Sequence, residues 1–146
     1  MSGRSAEVER SILAINEHDL PATWIGDEET TWVDIATGEI VQGSEAWFEY
    51  LREWYRGFPD GRVEILNVIE GASEVVVEFT GQGTHGGSYY GMVATGRFCL
   101  DRLCNVYEFN GARLHMIRSY WDQMSMLAQL GLLERPTRKL NQGGAA

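Results

Sequence analysis

The feature that most constrains the fold is the stretch between Arg62 and Trp121, which has the composition of β-strand almost throughout. Its segments are rich in β-branched and aromatic side chains, which favour the half-buried surface of a sheet. The predicted strands are Val63–Ile69, Glu74–Thr80, Arg97–Phe109 and Arg113–Trp121. Asn110-Gly111 lies between the last two and is a strong signal for a hairpin turn. A sheet this long must bury one face, so the rest of the chain has to cover it.

Two segments have the spacing of amphipathic helices. Ser5–Asn16 carries one apolar stripe, and Gly43–Phe58 carries another with charged side chains opposite it. The stripe of the second helix consists of Trp47, Phe48, Leu51, Trp54, Tyr55 and Phe58. Ser44 is the predicted N-cap of this helix, and Glu45 is favourable in its first turn. We expect this aromatic helix to cover the sheet.

Shorter elements complete the secondary-structure prediction. Thr30–Ile35 and Ile40–Val41 flank a turn and predict a small hairpin. Asp19-Leu20-Pro21 predicts the start of a short helix, because Pro is favoured in a first turn. A final helix is predicted over Gln123–Leu130, with Gly131 as its C-terminal cap. Its predicted buried residues are Met124, Leu127 and Ala128.

Helices followed by an antiparallel meander predict an α+β fold. The length of 146 residues fits one domain, which we assign to residues 1–133. Residues 134–146 are predicted to be a flexible tail, and they hold a local basic excess of Arg135, Arg138 and Lys139.

The formal net charge of −9 disfavours nucleic acids and anionic membranes as partners. No run of about 18 apolar residues predicts a membrane span, and the N-terminus lacks the pattern of a signal peptide. We therefore expect a cytoplasmic protein. Cys99 and Cys104 lie five residues apart in one predicted strand, on opposite faces, so they cannot bridge each other there.

Two common cofactor motifs are not supported by their context. Residues 81–86 match the glycine pattern of dinucleotide-binding loops, but the residues that follow have no helical period, and such a site needs a helix there. The histidines, His18, His85 and His115, lack the spacing of metal ligands. We predict neither a metal nor an organic cofactor.

Three parts of the chain, taken in order, carry a family pattern. They are Asp34-Ile35-Ala36-Thr37-Gly38-Glu39 with Gly43 and Glu45, then Gly83-Thr84-His85-Gly86-Gly87 with Gly91 and Thr95-Gly96-Arg97, then Tyr120-Trp121-Asp122 with Gln129-Leu130-Gly131. Together they resemble the SnoaL-like polyketide cyclases, over roughly Val8 to Leu133.

The resemblance implies a cone-shaped fold shared with nuclear transport factor two and ketosteroid isomerase. In this fold a curved antiparallel sheet and N-terminal helices enclose a pocket, and a short helix ends the domain. Named members of the family close polyketide rings by intramolecular aldol condensation without metal or organic cofactor. An Asp at the position of Asp122 is their general acid/base. Many proteins with this fold do other chemistry, so the fold alone does not fix the function.

Asp122 therefore has two readings. It precedes the last predicted helix and could be only its N-cap. An aldol closure needs a base for the proton alpha to a carbonyl and an acid for the new alkoxide, and one buried carboxylate with a raised pKa can serve as both. The family resemblance favours this catalytic role, and both roles can coexist.

His85 is the second catalytic candidate, because imidazole titrates near neutral pH and this residue lies among glycines at a strand end. The alternative is a loop histidine bonded to backbone. Tyr120 shares the strand parity of Asp122 and could donate to an enolate, although a packed core tyrosine is the more common case.

The remaining pocket candidates come from strand faces and from the aromatic helix. Asp34 and Trp32 share one face of the first strand, and Asp34 is either a pocket carboxylate or the cap of the following turn. Asn105 lies mid-strand among apolar neighbours and needs partners if it is buried. Trp54 and Tyr55 are core residues first and pocket wall second.

Two classes of function remain open at this point. One is an enzyme that acts on a small apolar carbonyl compound, as a cyclase or else as an isomerase or hydratase. The other is a non-catalytic protein that binds a small molecule in the same pocket.

The sequence also predicts the assembly. An open sheet leaves one face exposed, and the family usually pairs that face, so we expect a homodimer or homotetramer. Light scattering at high protein concentration should give two or four times the chain mass. A monomer at every concentration would contradict this expectation.

Overall fold

The computed structural model describes residues 3–136. Its α-helices are α1 (Gly3–Leu13), α2 (Leu20–Thr23), α3 (Gly43–Gly57) and α4 (Gln123–Gln129), and a 3-10 helix (Ala14–Glu17) follows α1. Its strands are β1 (Thr31–Asp34), β2 (Ile40–Gln42), β3 (Arg62–Glu70), β4 (Glu74–Thr84), β5 (Phe98–Asn110) and β6 (Arg113–Trp121). The predicted order of helices, small hairpin, long helix and meander is confirmed.

The strands form one curved, unclosed sheet in the order β2-β1-β6-β5-β4-β3. Four of its five pairings are antiparallel, as expected. The pairing of β1 with β6 is parallel, which makes the sheet mixed. A tight hairpin forces its strands to run antiparallel, but β1 and β6 are joined by a long crossover that leaves either direction open.

One face of the sheet carries the core. Along β5, Tyr107 and Phe109 are buried and alternate with more exposed residues, and Val75 and Val77 do the same on β4. Helices α1 and α3 cover this face, and Trp47 of α3 lies 4.4 Å from Trp32 of β1 between ring centroids. The α+β fold with a helix-covered curved sheet is thus confirmed.

The opposite face of the sheet exposes large apolar side chains, including Phe98, Leu100 and Tyr120. The predicted oligomer would cover such a face, and it stays a prediction.

Three local predictions need correction. Helix α3 begins at Gly43, its N-cap is Gln42, and Ser44 instead donates to the Glu28 carboxylate at 2.8 Å. The β5–β6 turn is centred one residue later than predicted, because Asn110 already pairs with Arg113. Helix α4 buries Met126 and leaves Met124 45% exposed, because the helix turns its 126–130 side toward the sheet.

The loop between β4 and β5 is docked on the end of α3. The backbone N–H groups of Gly86 and Gly87 both donate to the Gly57 carbonyl, at 3.1 and 3.3 Å. A Cβ at Gly87 would lie 2.1 Å from the Arg56 backbone oxygen, and one at Gly57 would lie 2.6 Å from the Tyr89 Cβ. These two glycines let the loop approach the helix closely enough to put Tyr89 in the interior.

None of the helices within residues 3–136 is long and apolar enough to cross a membrane. Cys99 and Cys104 are both free thiols, on opposite sides of β5 as expected. The predicted tail falls largely on residues 137–146, including Arg138 and Lys139, and that part lies outside the described residues.

The close approach at Gly87 predicts a stability effect. Gly87→Ala should lower the free energy of unfolding by about 1–3 kcal/mol, because its Cβ meets backbone that cannot move aside cheaply. Gly86→Ala is the matched control: the nearest atoms to its Cβ are 3.7 Å away, so the change should stay within about 0.5 kcal/mol. Urea unfolding of both variants measures the difference, and equal stabilities would refute the steric account.

Candidate functional site

A cavity of about 110 Å³ lies between α3 and the inner face of β4, β5 and β6. Its walls are mostly apolar and include many aromatic rings. The lining residues are Ile15, Trp32, Trp47, Tyr50, Leu51, Trp54, Phe58, Val63, Phe79, Gly81, Gln82, Gly83, Tyr89, Cys99, Asp101, Leu103, Ser119, Trp121 and Met126. Gly81 and Gly83 of β4 let neighbouring residues approach this face closely: a Cβ at Gly81 would lie 3.5 Å from Leu103, and one at Gly83 would lie 3.1 Å from the Phe58 Cβ.

Asp101 is the one carboxylate among these lining residues. It is half-buried on β5, where its Oδ1 accepts from Gln129 Nε2 at 3.2 Å and its Oδ2 accepts from the Cys99 thiol at 3.7 Å. Its pKa is raised from 3.8 to about 6, mainly because burial penalises the charged form. The bonds from Cys99 and Gln129 lower this pKa, and the Asp122 carboxylate raises it by a smaller amount.

A carboxyl group that titrates near neutral pH inside an apolar cavity can take and return protons. The neighbouring Cys99 is less suited to act as a nucleophile, since burial first and Asp101 second raise the pKa of its thiol to about 12. The arrangement therefore favours acid/base chemistry at Asp101.

Asp101 was not identified as a site residue from the sequence. Its position in the alternation of β5 could have identified it. Asp101 alternates in step with Leu103, Asn105, Tyr107 and Phe109, which are the inward positions of β5. An acidic residue on a buried strand face needs an explanation, and a functional site is one.

Tyr89 also lines this cavity. Its side chain is 9% exposed, and its O–H group has no hydrogen-bond partner within residues 3–136. Burial, followed by the charges of neighbouring groups that include Asp34 and Asp101, raises its pKa. Tyr89 therefore stays protonated and can donate a hydrogen bond to a ligand.

Asp34 is buried beside the cavity, with 2% exposure, but does not line it. Its carboxylate accepts from Tyr50 O–H at 2.7 Å, Trp121 Nε1–H at 2.8 Å and the Thr37 N–H at 3.1 Å. The turn-capping alternative is thus observed, and the same carboxylate orients two cavity-wall side chains. Burial and the Asp34 charge raise the pKa of Tyr50, so its hydroxyl remains a donor.

Asp122 occupies the N-cap of α4, and its Oδ1 accepts from the Ser125 N–H at 2.9 Å. Its side chain is exposed, lies 3.6 Å from the Arg135 guanidinium, and is not among the cavity-lining residues. Helix α4 links it indirectly to the cavity, since Gln129 contacts both Ser125 Oγ and Asp101. The capping role is observed, and the acid/base role of Asp122 stays a prediction.

His85 is fully buried and does not line the cavity. Its Nδ1 accepts from the Thr95 N–H at 3.3 Å, and its ring centroid lies 5.6 Å from that of Phe58. The Thr95 bond links the two ends of the β4–β5 loop, and the Phe58 contact places the His85 ring against the end of α3. The catalytic role of His85 also stays a prediction.

The other candidates divide between the cavity and its surroundings. Trp32 and Trp54 line the cavity. Tyr55 instead donates to the Ile15 carbonyl at 2.7 Å and stacks on His18. Tyr120 is 42% exposed, on the outer face. Asn105 is buried and lines a second, smaller cavity. Among residues 3–136, no group of three or more acidic, His or Cys side chains is arranged to hold a metal ion.

A protein-family model described as SnoaL-like polyketide cyclase matches residues 15–130. Every cavity-lining residue falls inside this match. Among curated proteins, none matches the chain significantly.

Several solved structures share the fold. AclR, a candidate hydroxylase from Streptomyces galilaeus, has a TM-score of 0.77 and 18% identity over 92% of this chain and 85% of its own. IdmH, a candidate polyketide cyclase from Streptomyces antibioticus, has a TM-score of 0.75 and 21% identity over 89% and 99%. A candidate SnoaL-like polyketide cyclase from Jannaschia sp. has a TM-score of 0.75 and 15% identity over 92% of this chain and 98% of its own. At these identities the likeness establishes the fold alone.

The raised pKa of Asp101 predicts how stability depends on pH. The folded chain holds this proton up to about pH 6, whereas the unfolded chain releases it near 3.8, so Asp101 destabilises the fold increasingly as pH rises between those values. Asp101→Asn removes the penalty, so its melting temperature relative to the parent chain should increase from pH 5 to pH 7.5. Glu64→Gln, at an exposed position on β3, controls for the loss of one negative charge. A constant difference for Asp101→Asn across this range would contradict the assignment.

Proposed function

The chain belongs to the SnoaL-like polyketide cyclase family, and on this premise we propose that it performs cofactor-independent acid/base catalysis on an apolar carbonyl compound held in the cavity. The reaction we propose is an intramolecular aldol condensation. The observation that carries the proposal is a single carboxylate, Asp101, with a pKa of about 6 in an otherwise apolar, aromatic cavity.

Asp101 acts first as a base and then as an acid. Its carboxylate takes the proton from a carbon alpha to a carbonyl, which breaks a C–H bond and leaves an enolate. The enolate carbon attacks a second carbonyl of the same molecule, forming a C–C bond and an alkoxide. The protonated Asp101 returns its proton to that alkoxide and is ionised again. A pKa close to the working pH suits both steps.

Tyr89 is the proposed donor to the enolate oxygen. Its side chain lines the same cavity, and its hydroxyl has no hydrogen-bond partner among residues 3–136. A positioned donor stabilises charge that develops in the transition state more strongly in an apolar cavity than in water.

The walls indicate the class of ligand. Trp32, Trp47, Trp54 and Phe58 present flat aromatic surfaces, and Asp101 is the only formally charged side chain among the lining residues. Such a surface favours a neutral, ring-containing molecule with few polar groups. A small apolar carbonyl compound meets these requirements.

Asp122 has a supporting role in this proposal. It fixes the start of α4, whose Gln129 contacts Asp101, and its negative charge adds to the pKa shift of Asp101. Direct proton transfer by Asp122, as the family resemblance implies, is the competing assignment.

Deuterium exchange at the alpha carbon of 2-tetralone, a two-ring ketone, tests the first step without knowledge of the substrate. NMR in deuterated buffer should detect exchange above the buffer rate, rising with pH through about 6 and then levelling off as Asp101 ionises. Asp101→Asn should reduce the protein-dependent rate about 10²- to 10⁴-fold, because an amide cannot accept the proton. Tyr89→Phe should reduce it about 10²-fold through loss of the oxyanion donor.

Asp122→Asn separates the two assignments. An amide caps a helix nearly as well as a carboxylate, so the fold should persist and exchange should fall only a few-fold. If Asp122→Asn abolishes exchange while Asp101→Asn retains it, the base is Asp122. If 2-tetralone binds but neither variant alters its exchange, catalysis is refuted and a binding protein remains.

A further inference from the structure

Besides His85 Nε2, three buried side-chain polar atoms have no hydrogen-bond partner within residues 3–136: Trp24 Nε1, Trp32 Nε1 and Asn105 Oδ1. All three side chains line the same small cavity of about 30 Å³. Trp32 is 7% exposed and Asn105 only 1% exposed. Buried polar groups are almost always paired, so three unpaired atoms around one cavity point to a missing partner.

The sheet register explains how these groups come together. Trp32 on β1 pairs with Ile117 on β6, which pairs with Tyr107 on β5. Asn105 lies on the adjacent inward row of β5, two residues from Tyr107. Trp24, which follows α2, closes the cavity from the helical side and lies 6.0 Å from Trp47 between ring centroids.

Neighbouring polar groups are already engaged. Trp47 Nε1 donates to Thr23 Oγ1 at 2.9 Å, and Ser11 Oγ donates to the Val8 carbonyl at 2.7 Å. Asn105 Nδ2 donates to Tyr107 Oη at 3.3 Å, which leaves Oδ1 as the free end of its amide. The unfilled requirement is therefore two N–H donors and one carbonyl acceptor.

We propose that this smaller cavity is a binding site for one O–H oxygen, which accepts from Trp24 and Trp32 and donates to Asn105. A hydroxyl group can do both at once. A carbonyl or carboxylate oxygen cannot donate, and an ammonium group cannot accept. A cavity of about 30 Å³ has room for such an oxygen, since about 10–15 Å³ is enough for a water molecule.

The site adjoins the main cavity. Ile15, Trp32, Trp47 and Phe79 line both spaces, so the two spaces meet along these side chains. A ring in the main cavity that carries a hydroxyl substituent can therefore direct its O–H toward this site, and a water molecule occupies the site otherwise. The site selects for phenols or alcohols, whatever reaction follows in the main cavity.

Titration calorimetry with 2-naphthol and its methyl ether, 2-methoxynaphthalene, tests whether a ligand hydroxyl can supply the oxygen of this site. The ether can accept a hydrogen bond but not donate one, so 2-naphthol should bind about tenfold more tightly, as expected for one lost buried hydrogen bond. Asn105→Leu should reduce this ratio to less than about twofold. Trp24→Phe, which changes only the smaller cavity, should also weaken 2-naphthol, and it serves if Asn105→Leu does not fold.

Trp54→Phe is the matched control, because Trp54 lines the main cavity and not the smaller one. It should weaken both ligands equally and leave their ratio unchanged. This experiment measures binding only, so a failure of the proposed catalysis would not affect its outcome.

A high-resolution crystal structure without added ligand tests the water source. An ordered oxygen within about 3.2 Å of Trp24 Nε1, Trp32 Nε1 and Asn105 Oδ1 would support the proposal even if the two naphthalenes bind equally. The proposal would also be supported, with or without that oxygen, if the parent chain prefers 2-naphthol and either Asn105→Leu or Trp24→Phe removes the preference. Two combined results would overturn the proposal. In both, the crystal structure shows no oxygen in the smaller cavity, and either 2-naphthol binds no more tightly than its ether or its tighter binding persists in Asn105→Leu and Trp24→Phe.

Discussion

The packing of aromatic helix α3 on the inward face of the sheet is the contact on which the rest of the structure depends. Large rings from both layers meet there, with Trp47 against Trp32, while Gly83 of β4 lets Phe58 at the end of α3 approach closely. The two layers pack together without filling all the space between them. The result is a cavity whose walls are core residues, so the same side chains stabilise the fold and shape the site.

Polar groups in such an interior are costly unless they are paired, and the protein treats them in three ways. The Asp34 carboxylate accepts three hydrogen bonds and so acts as an orienting group. Hydrogen bonds offset only part of the cost of burying the Asp101 carboxylate, so its pKa rises into the range useful for proton transfer. The two indole N–H groups and the Asn105 oxygen around the smaller cavity have no described partner at all. The three cases therefore differ in how many hydrogen bonds offset the cost of burying each group.

The fold was predictable because its main elements have strong local signals. The strand-rich stretch from Arg62 to Trp121 and the period of α3 each depend on side chains close together in sequence. Predictions were wrong where contacts with residues distant in sequence determine the local structure. Ser44 is a good capping residue by type, but Glu28 engages its hydroxyl. Met124 fits an amphipathic stripe, but the side of α4 that meets the sheet carries Met126. The parallel pairing of β1 and β6 joins residues more than 80 positions apart and has no local signature.

For the site, local sequence patterns indicated the family, the aromatic side chains available for a pocket, and the cap residue Asp122. They also predicted that Trp32 and Asp34 share one strand face, because alternation along a strand is fixed by backbone geometry. Which carboxylate enters the cavity depends instead on contacts between elements distant in sequence. Asp101 is half-buried where α4 packs against β5, since Gln129 bonds both the Leu100 backbone and the Asp101 carboxylate, and this contact joins residues 28 and 29 positions apart in sequence. A pKa shift arises from the surroundings of a group in space, so a one-dimensional pattern could name the acidic residues but not the one that burial would activate.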